Sequence, residues 1–301
     1  MIREPLVYII TANWNGLKDT LELLSSLNKI DYKNRRIVLI DNGSLNSESR
    51  EIKKHFPKIH IIHNNTNTGY CKANNQGIVY ALMKQAKYIL LLNNDTIVKH
   101  NFLKILVNYA ENNSFEGVLT PKILYYKKNI IWAMGGHISP VTSIPKMIGQ
   151  NKASNTYRGM VEPDYASGCG FFVNSSVLKK VGVFNEIYFA YYEDTDLSYR
   201  IKRAGYKILA IPQSVIWHKV SRSSNTITTD KINSFQSYYL ARNGLIFGTK
   251  ILSFPQNIIY SIAQLLIKFP AYILLKCKDM KSRLFYAKGI IDGITYAVSK
   301  S

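Results

Sequence analysis

The strongest constraint in the sequence is a rhythm. Four short apolar runs, 6–11, 36–40, 59–63 and 88–92, are each followed at once by a cluster of polar or turn-forming residues. Between them, 17–27, 47–55 and 70–85 carry apolar residues at helical spacing, most plainly Leu17, Leu21, Leu24 and Leu27. Strand, helix and strand at this cadence predict an α/β fold: a mostly parallel, doubly wound, Rossmann-like sheet flanked by helices. In such sheets ligands bind beyond the carboxyl ends of the strands. The polar clusters 11–16, 41–44, 64–69 and 93–96 all fall there, so one rim of the sheet is expected to hold a site.

The middle of the chain is less regular. Strands are expected at 117–121, 130–134, 166–173 and 206–211, the last stopped by Pro212, with a short helix at 195–204. Residues 139–163 hold turn formers and few apolar runs and read as a long, mobile loop. After His218 a polar stretch, 219–230, leads into a region that is helical throughout. The expected division is therefore a first domain at 1–230 and a helical extension at 231–301.

That extension carries ten Lys or Arg against two Asp. Its apolar segment 254–276 is interrupted by Gln264, Lys268 and Pro270, which argues against a spanning helix of about 20 apolar residues. An apolar face edged by Lys268, Lys276, Lys278, Lys281 and Arg283 fits a helix lying in the interface of an anionic membrane. A helical hairpin packed on the first domain, or a homo-oligomer contact, is the alternative.

The whole chain has a formal charge of +20, from 39 basic and 19 acidic residues, and this implies an anionic partner. Nucleic acid is not expected, because basic and aromatic residues do not interleave along one face. Cys71, Cys169 and Cys277 are far apart, without metal-ligand spacing, and suit a reducing compartment. The first apolar run is too short for a signal-peptide core, so a cytoplasmic location is expected.

Eight motifs occur in order: TANWNG (11–16), DNGS (41–44), NTGYCKANN (67–75), LLNNDT (91–96), ASGCGFFV (166–173), YYEDTDLSYRIKRAGYKI (191–208), WHK (217–219) and YYLARNGLIF (238–247). Together they resemble the family 2 glycosyltransferases of the GT-A fold, in particular the rhamnosyltransferase-like branch. The resemblance implies an inverting transferase that moves a sugar from a nucleotide-sugar donor, dTDP-rhamnose or a UDP-hexose. The acceptor would be a glycan or a lipid-linked molecule of cell-surface polysaccharide assembly. It places the work at the inner face of the cell membrane. An inactive family member that scaffolds an assembly complex is the alternative.

The residues make chemical sense one by one. Asp41 follows an apolar strand, and its carboxylate can accept hydrogen bonds from a pyrimidine ring, as it can from a turn. The resemblance sets it beside Thr11 and Asn13 at the donor base, and implies further donor contacts at Gly69, Asn74, Asn93, Asn94 and Gly168. Asn93-Asn94-Asp95 stands where the family has an acidic pair around one residue. Its first position is Asn, so Asp95 would carry most of the binding of Mn²⁺ or Mg²⁺, with His218 completing the site. Glu193, Asp194 and Asp196 lie just before a helix. The resemblance makes Asp194 the base that takes the acceptor's proton, with Glu193 as second candidate, while Asp196 suits the helix dipole. Arg200 and Arg203 are open between pairing with these carboxylates and facing the diphosphate. Arg242 and Asn243 sit on a helix that is expected to close over the donor.

Overall fold

A computed structural model describes residues 4–46, 48–139, 144–220 and 231–299. With elements numbered in chain order, β1 (Val7–Asn13), β2 (Arg35–Asn42), β3 (His60–Asn64) and β4 (Tyr88–Leu92) lie parallel, in the order β3-β2-β1-β4. They are joined by α1 (Leu17–Asn28), α2 (Glu48–His55) and α3 (Gly69–Met83). The sheet continues from β4 through β10 (Gly170–Asn174), β6 (Gly117–Tyr125) and β11 (Lys207–His218) to β5 (Thr96–Val98). Because β10 runs antiparallel to both β4 and β6, the sheet is mixed, with its parallel order confined mainly to the first half.

Alternation along the strands explains the two layers. Val7 and Ile9 of β1 and Leu90 of β4 face one core, with Leu23, Leu24 and Leu27 of α1 and Phe102 and Leu106 of α4 (Phe102–Asn112). Tyr8, Ile10, Ile89 and Leu91 face the other, with Ile78 of α3 and Leu197 and Ile201 of α6 (Glu193–Arg203).

The connection from β4 to β5 forces the sheet to curl. In a flat sheet β5 would lie four strand spacings from β4, about 19 Å away. Four residue steps, Leu92 to Thr96, span about 14 Å at most. The sheet must therefore bend until the β5 edge comes back beside the end of β4. β11 holds that edge, with His218 opposite Thr96 and the Lys219 N–H donating to the Asp95 carbonyl at 3.0 Å. Lys219 also donates to Asp19 at 2.6 Å and Glu22 at 2.7 Å on α1, which fastens the curled edge to the helical layer.

Three expectations change here. β11 does not stop at Pro212: pairing with β6 breaks between Ile211 and Val215, the intervening residues bulge, and the strand resumes to His218. Proline is tolerated where the ladder is already interrupted. The 139–163 stretch is not a free loop beyond its undescribed residues 140–143. β8 (Gly136–Ile138) and β9 (Pro145–Met147) form a small ribbon, and bridges tie Ala153 to Ile130 and Val161 to Ala210. The 166–173 stretch opens as a turn and becomes strand only from Gly170. Of the polar stretch 219–230, residues 221–230 lie outside the described residues.

After α5 (Ser175–Val181) and α6, the chain ends in α7 (Ser234–Ile246), α8 (Gln256–Ala263), α9 (Phe269–Ala271) and α10 (Met280–Ser299). Ile246, Phe247 and Tyr260 join the core around α3 and α6, so the extension shares packing with the sheet domain.

The clasp on the curled edge is testable. Lys219→Met removes the ammonium that lies 2.6 Å from Asp19, a carboxylate 9% exposed. The expected loss is about 3 kcal/mol, read as a lower urea midpoint at unchanged slope. An unchanged midpoint would mean that the clasp carries no stability.

Candidate active site

Strand register brings the motifs together. Asn13 at the end of β1 is opposite Asp41 at the end of β2, and Gly170 at the start of β10 is opposite Leu92, next to Asn93. His218 reaches Asp95 across the β5–β11 pair, Nε2 to Oδ1, at 3.0 Å. From the other side, the Gly168 N–H donates to Asp194 Oδ2 at 3.0 Å. Tyr70 closes the circle: its hydroxyl donates to the Asn93 side-chain oxygen at 3.2 Å and approaches the Gly168 carbonyl at 3.1 Å. Asn93 and Asp194 thus meet at Gly168, and His218, with Asp95 behind it, lies beside Cys169 of the same turn.

The nominated residues split into two groups by what their atoms already do. Asn13 is fully buried: its amide donates to Glu48 at 2.8 Å and Ser44 at 3.1 Å, and its carbonyl accepts from Thr20 at 2.7 Å. Asn94 donates to the same Thr20 hydroxyl at 3.1 Å. Asn13 is a framework residue, and the Asn94 NH2 ties the 93–95 crossing to it and to α1. Gly69, at φ 86°, brings the start of α3 against Phe189, where a Cβ would lie 2.7 Å from the ring. The close approach at Gly168 is made by Tyr70, whose hydroxyl would be 2.7 Å from a Cβ there.

Other groups keep unspent capacity. The Thr11 hydroxyl, the Asn74 carbonyl oxygen, one Glu193 oxygen and His218 Nδ1 are buried without a hydrogen-bond partner. Asp41 accepts the Ser44 N–H at 3.3 Å and has one oxygen 3.9 Å from His63 Nδ1. It therefore serves the turn and still presents a carboxylate oxygen at the rim.

Electrostatics divides the carboxylates. Burial pushes Asp95 up, but His218 and Lys219 outweigh it and hold the carboxyl below its usual range. Burial pushes His218 down, but Asp95 reverses that and holds the imidazole well above its usual value. The two therefore stand as an ion pair. Glu193 and Asp194 lie in the first turn of α6, which begins two residues earlier than the expected 195. Burial raises Asp194 despite the N–H groups of Gly168 and Thr195, and burial together with Asp194 raises Glu193 well above the ordinary range. A helix N-terminus favours a carboxylate by only about 0.3–1 kcal/mol, which desolvation exceeds. Asp196 is fully buried and paired with Arg200 at 2.9 Å, and Arg203 packs over Tyr199, so neither arginine is spent on Glu193 or Asp194.

Arg242 and Asn243 do not close over a donor cleft. Arg242 donates to the Ile187 carbonyl at 3.1 Å, and Asn243 donates to those of Ala190 at 2.7 Å and Tyr191 at 3.0 Å. They brace the loop that delivers Glu193 and Asp194. Sequence reasoning does not reach Tyr70 or Glu48: Tyr70 lies inside the motif 67–75 with nothing in its spacing to mark it, and Glu48 has no signal of its own.

A mixed, curled α/β sheet with this rim defines a GT-A-type protein, and comparison with known proteins agrees. The family model for Glycosyl transferase family 2 matches residues 8–182, and the chain belongs to that family. It is 25% identical over 250 residues to the dTDP-rhamnosyl transferase RfbF of Shigella flexneri, covering 81% of this chain and 80% of that one. It is 28% identical to the rhamnosyltransferase WbbL of Escherichia coli, covering 69% of this chain and 81% of WbbL. A low-salt glycan biosynthesis hexosyltransferase of Haloferax volcanii is 28% identical over 66% of this chain, but the match spans only 62% of that relative. Among solved structures, S. aureus TarS 1-349 in complex with UDP-GlcNAc superposes with a TM-score of 0.62 at 15% identity, covering 97% of this chain and 81% of that one. GalNAc-T7, solved with UDP, GalNAc and Mn²⁺, gives 0.61 at 15% identity, over 90% of this chain and 58% of the other. These likenesses establish the fold.

The raised Glu193 carboxyl predicts a stability slope. Its protonated form is favoured on folding, so the contribution is complete below the usual 4.5 and is lost as pH rises through the folded value. Glu193→Gln is expected to flatten the decline of melting temperature as pH rises above 4.5. Identical slopes in variant and wild type would place the titrating group elsewhere.

Proposed function

We propose that the chain is an inverting, divalent-metal-dependent glycosyltransferase. Its donor is a pyrimidine nucleoside-diphosphate sugar, dTDP-rhamnose or a UDP-hexose, and its acceptor a glycan or lipid-linked molecule of cell-surface polysaccharide assembly. The observation that carries the reading is the convergence of an Asp95–His218 pair and a raised Asp194 on one turn, at the rim where Asp41 also ends its strand.

Asp95 and His218 would hold Mn²⁺ or Mg²⁺: the carboxylate is a hard oxygen donor, and the imidazole beside it could serve as a second ligand once deprotonated. Among the described residues no group of three His, Cys, Asp or Glu side chains gathers to hold a metal, so the donor's phosphates and water would complete the shell. When bound, the ion neutralises the charge that grows on the departing diphosphate. Asp194 takes the proton of the acceptor hydroxyl as that oxygen bonds to the anomeric carbon and the bond to the diphosphate breaks. A raised carboxyl suits this proton transfer near neutrality better than an ordinary aspartate.

The same reading places the protein at the inner, cytoplasmic face of the cell membrane as a peripheral protein. The helical run Gln256–Lys276 is long and apolar enough to cross a membrane by length and composition. However, Lys268 within it is buried against protein, and leaving that position would strip an ammonium of its partners. Ile258, Ile262, Leu266, Leu274 and Leu275 face outward and suit an interfacial helix. Lys278 and Lys281, both exposed, would meet anionic headgroups.

Screening nucleotide sugars for hydrolysis and transfer, with and without Mn²⁺, tests the enzyme reading. One pyrimidine donor should turn over. Asp194→Asn is expected to lower kcat by about 10²–10⁴, and Asp95→Ala to weaken metal activation strongly. Full turnover after chelation would refute the metal role. Metal affinity should also rise with pH, because His218 must shed the proton that Asp95 stabilises before it can be a ligand. Flotation with anionic vesicles tests the membrane reading, and failure to co-float removes it.

A further inference from the structure

A buried ammonium needs partners able to replace its water. Lys268 is 6% exposed, although its neighbours on the helical run Gln256–Lys276 face outward, Leu266 at 73%. Its Nζ donates to the Tyr192 hydroxyl at 2.8 Å and lies 5.3 Å from the ring centroids of both Tyr192 and Tyr272. The Tyr192 hydroxyl is 2.9 Å from that of Tyr260, to which Gln264 donates. Tyr260, Gln264 and Lys268 are spaced by four, so one face of the run is built to grip one tyrosine. α7 leaves room for the grip: a Cβ on Gly244 would lie 3.2 Å from both tyrosine hydroxyls.

What is gripped matters. Tyr191 and Tyr192 stand at φ 68° and 72°, two successive non-glycine residues in the left-handed region. The next two residues are Glu193 and Asp194, and the Tyr192 carbonyl accepts the Asp196 N–H at 2.8 Å, opening α6. The orientation of Tyr192 therefore sets where the carboxylates of the first turn point. Asn243 holds the backbone of this turn from α7, while Lys268 holds its side chain from the C-terminal run.

We propose that Lys268 is a positioning residue that fixes the left-handed turn at 191–192 and so aims Asp194 at the acceptor. This rests on Asp194 being the base. The lysine acts through Tyr192 and not by contact with the reacting atoms. Its loss should leave donor binding intact, because Asp41 and Asp95 hang from β2 and from the 93–95 crossing. It also ties the outward-facing apolar helix to the catalytic loop, so that disturbing one disturbs the other.

The test uses the full chain as wild type, Lys268→Met, Lys268→Arg and the double variant Lys268→Met/Tyr192→Phe. Two readouts are followed: nucleotide release from dTDP-rhamnose and UDP-glucose with Mn²⁺, and amide hydrogen exchange. Lys268→Met is expected to lower kcat at least about tenfold, with donor KM within about threefold. Exchange should quicken at 189–196 while β1 and β4 stay protected. Lys268→Arg, which keeps a cation over the rings, should recover most of kcat. The double variant removes both buried polar partners and so tolerates folding better than the single one. It should fold and remain slow. Wild-type kcat in either Met variant, or unchanged exchange at 189–196, overturns the proposal. A wild type without turnover on any donor counts against the transferase reading instead, and exchange then decides the positioning role by itself.

Discussion

The short crossing from β4 to β5 governs this molecule. Three residues, 93–95, must link a central strand to the far edge of the same sheet, and the chain is too short to do so unless the sheet curls. The curl brings β11 and its terminal His218 to the carboxyl rim of the parallel half, where the Asp95–His218 pair forms. Without it, His218 would end its strand on a distant edge and Asp95 would be an ordinary turn residue. Lys219, one step further, anchors that edge to α1 and lowers the Asp95 carboxyl. One covalent constraint therefore fixes both a packing feature and the charge state of the site.

On the opposite wall the energetics run the other way. Glu193 and Asp194 are buried, and desolvation raises their carboxyls even though Asp194 accepts the N–H groups of Gly168 and Thr195. Such an arrangement costs stability and is held in place by its surroundings. Here the surroundings are specific: Asn243 and Arg242 on the loop carbonyls, Gly168 on Asp194, and the aromatic grip on Tyr192. The rim thus joins a low carboxylate paired with a cation to raised carboxylates at a strained turn. That contrast suits a site which binds a charged donor on one side and moves a proton on the other.

The C-terminal helices belong to both accounts. Their inner face supplies Ile246, Phe247 and Tyr260 to the main core, while their outer face carries apolar side chains unsupported by the chain itself. Lys268 reads in the sequence as a charge interrupting an apolar segment. In the fold it is an inward anchor, and its hydrophobic neighbours point away from it.

By itself the sequence determined the α/β class, the strand ends that carry the polar clusters, and the family to which the motifs belong. These are local properties: alternation, helical spacing and turn chemistry recur within a few residues and do not depend on distant partners. Tertiary structure alone decided which polar residues keep buried atoms unpartnered at the rim and which are framework. Asn13 looks like a contact in a motif, but its amide is consumed by Thr20, Ser44 and Glu48, and the Asn94 NH2 is turned to Thr20. Tyr70 looks like filler, yet it joins Asn93 to Gly168. The same holds for the direction of β10, the bulge that carries β11 past Pro212, and the burial of Lys268. The physical reason is common to all of them. Strand pairing and the satisfaction of a buried polar group depend on partners brought close only by long-range folding, and spacing along the chain does not encode which partner arrives.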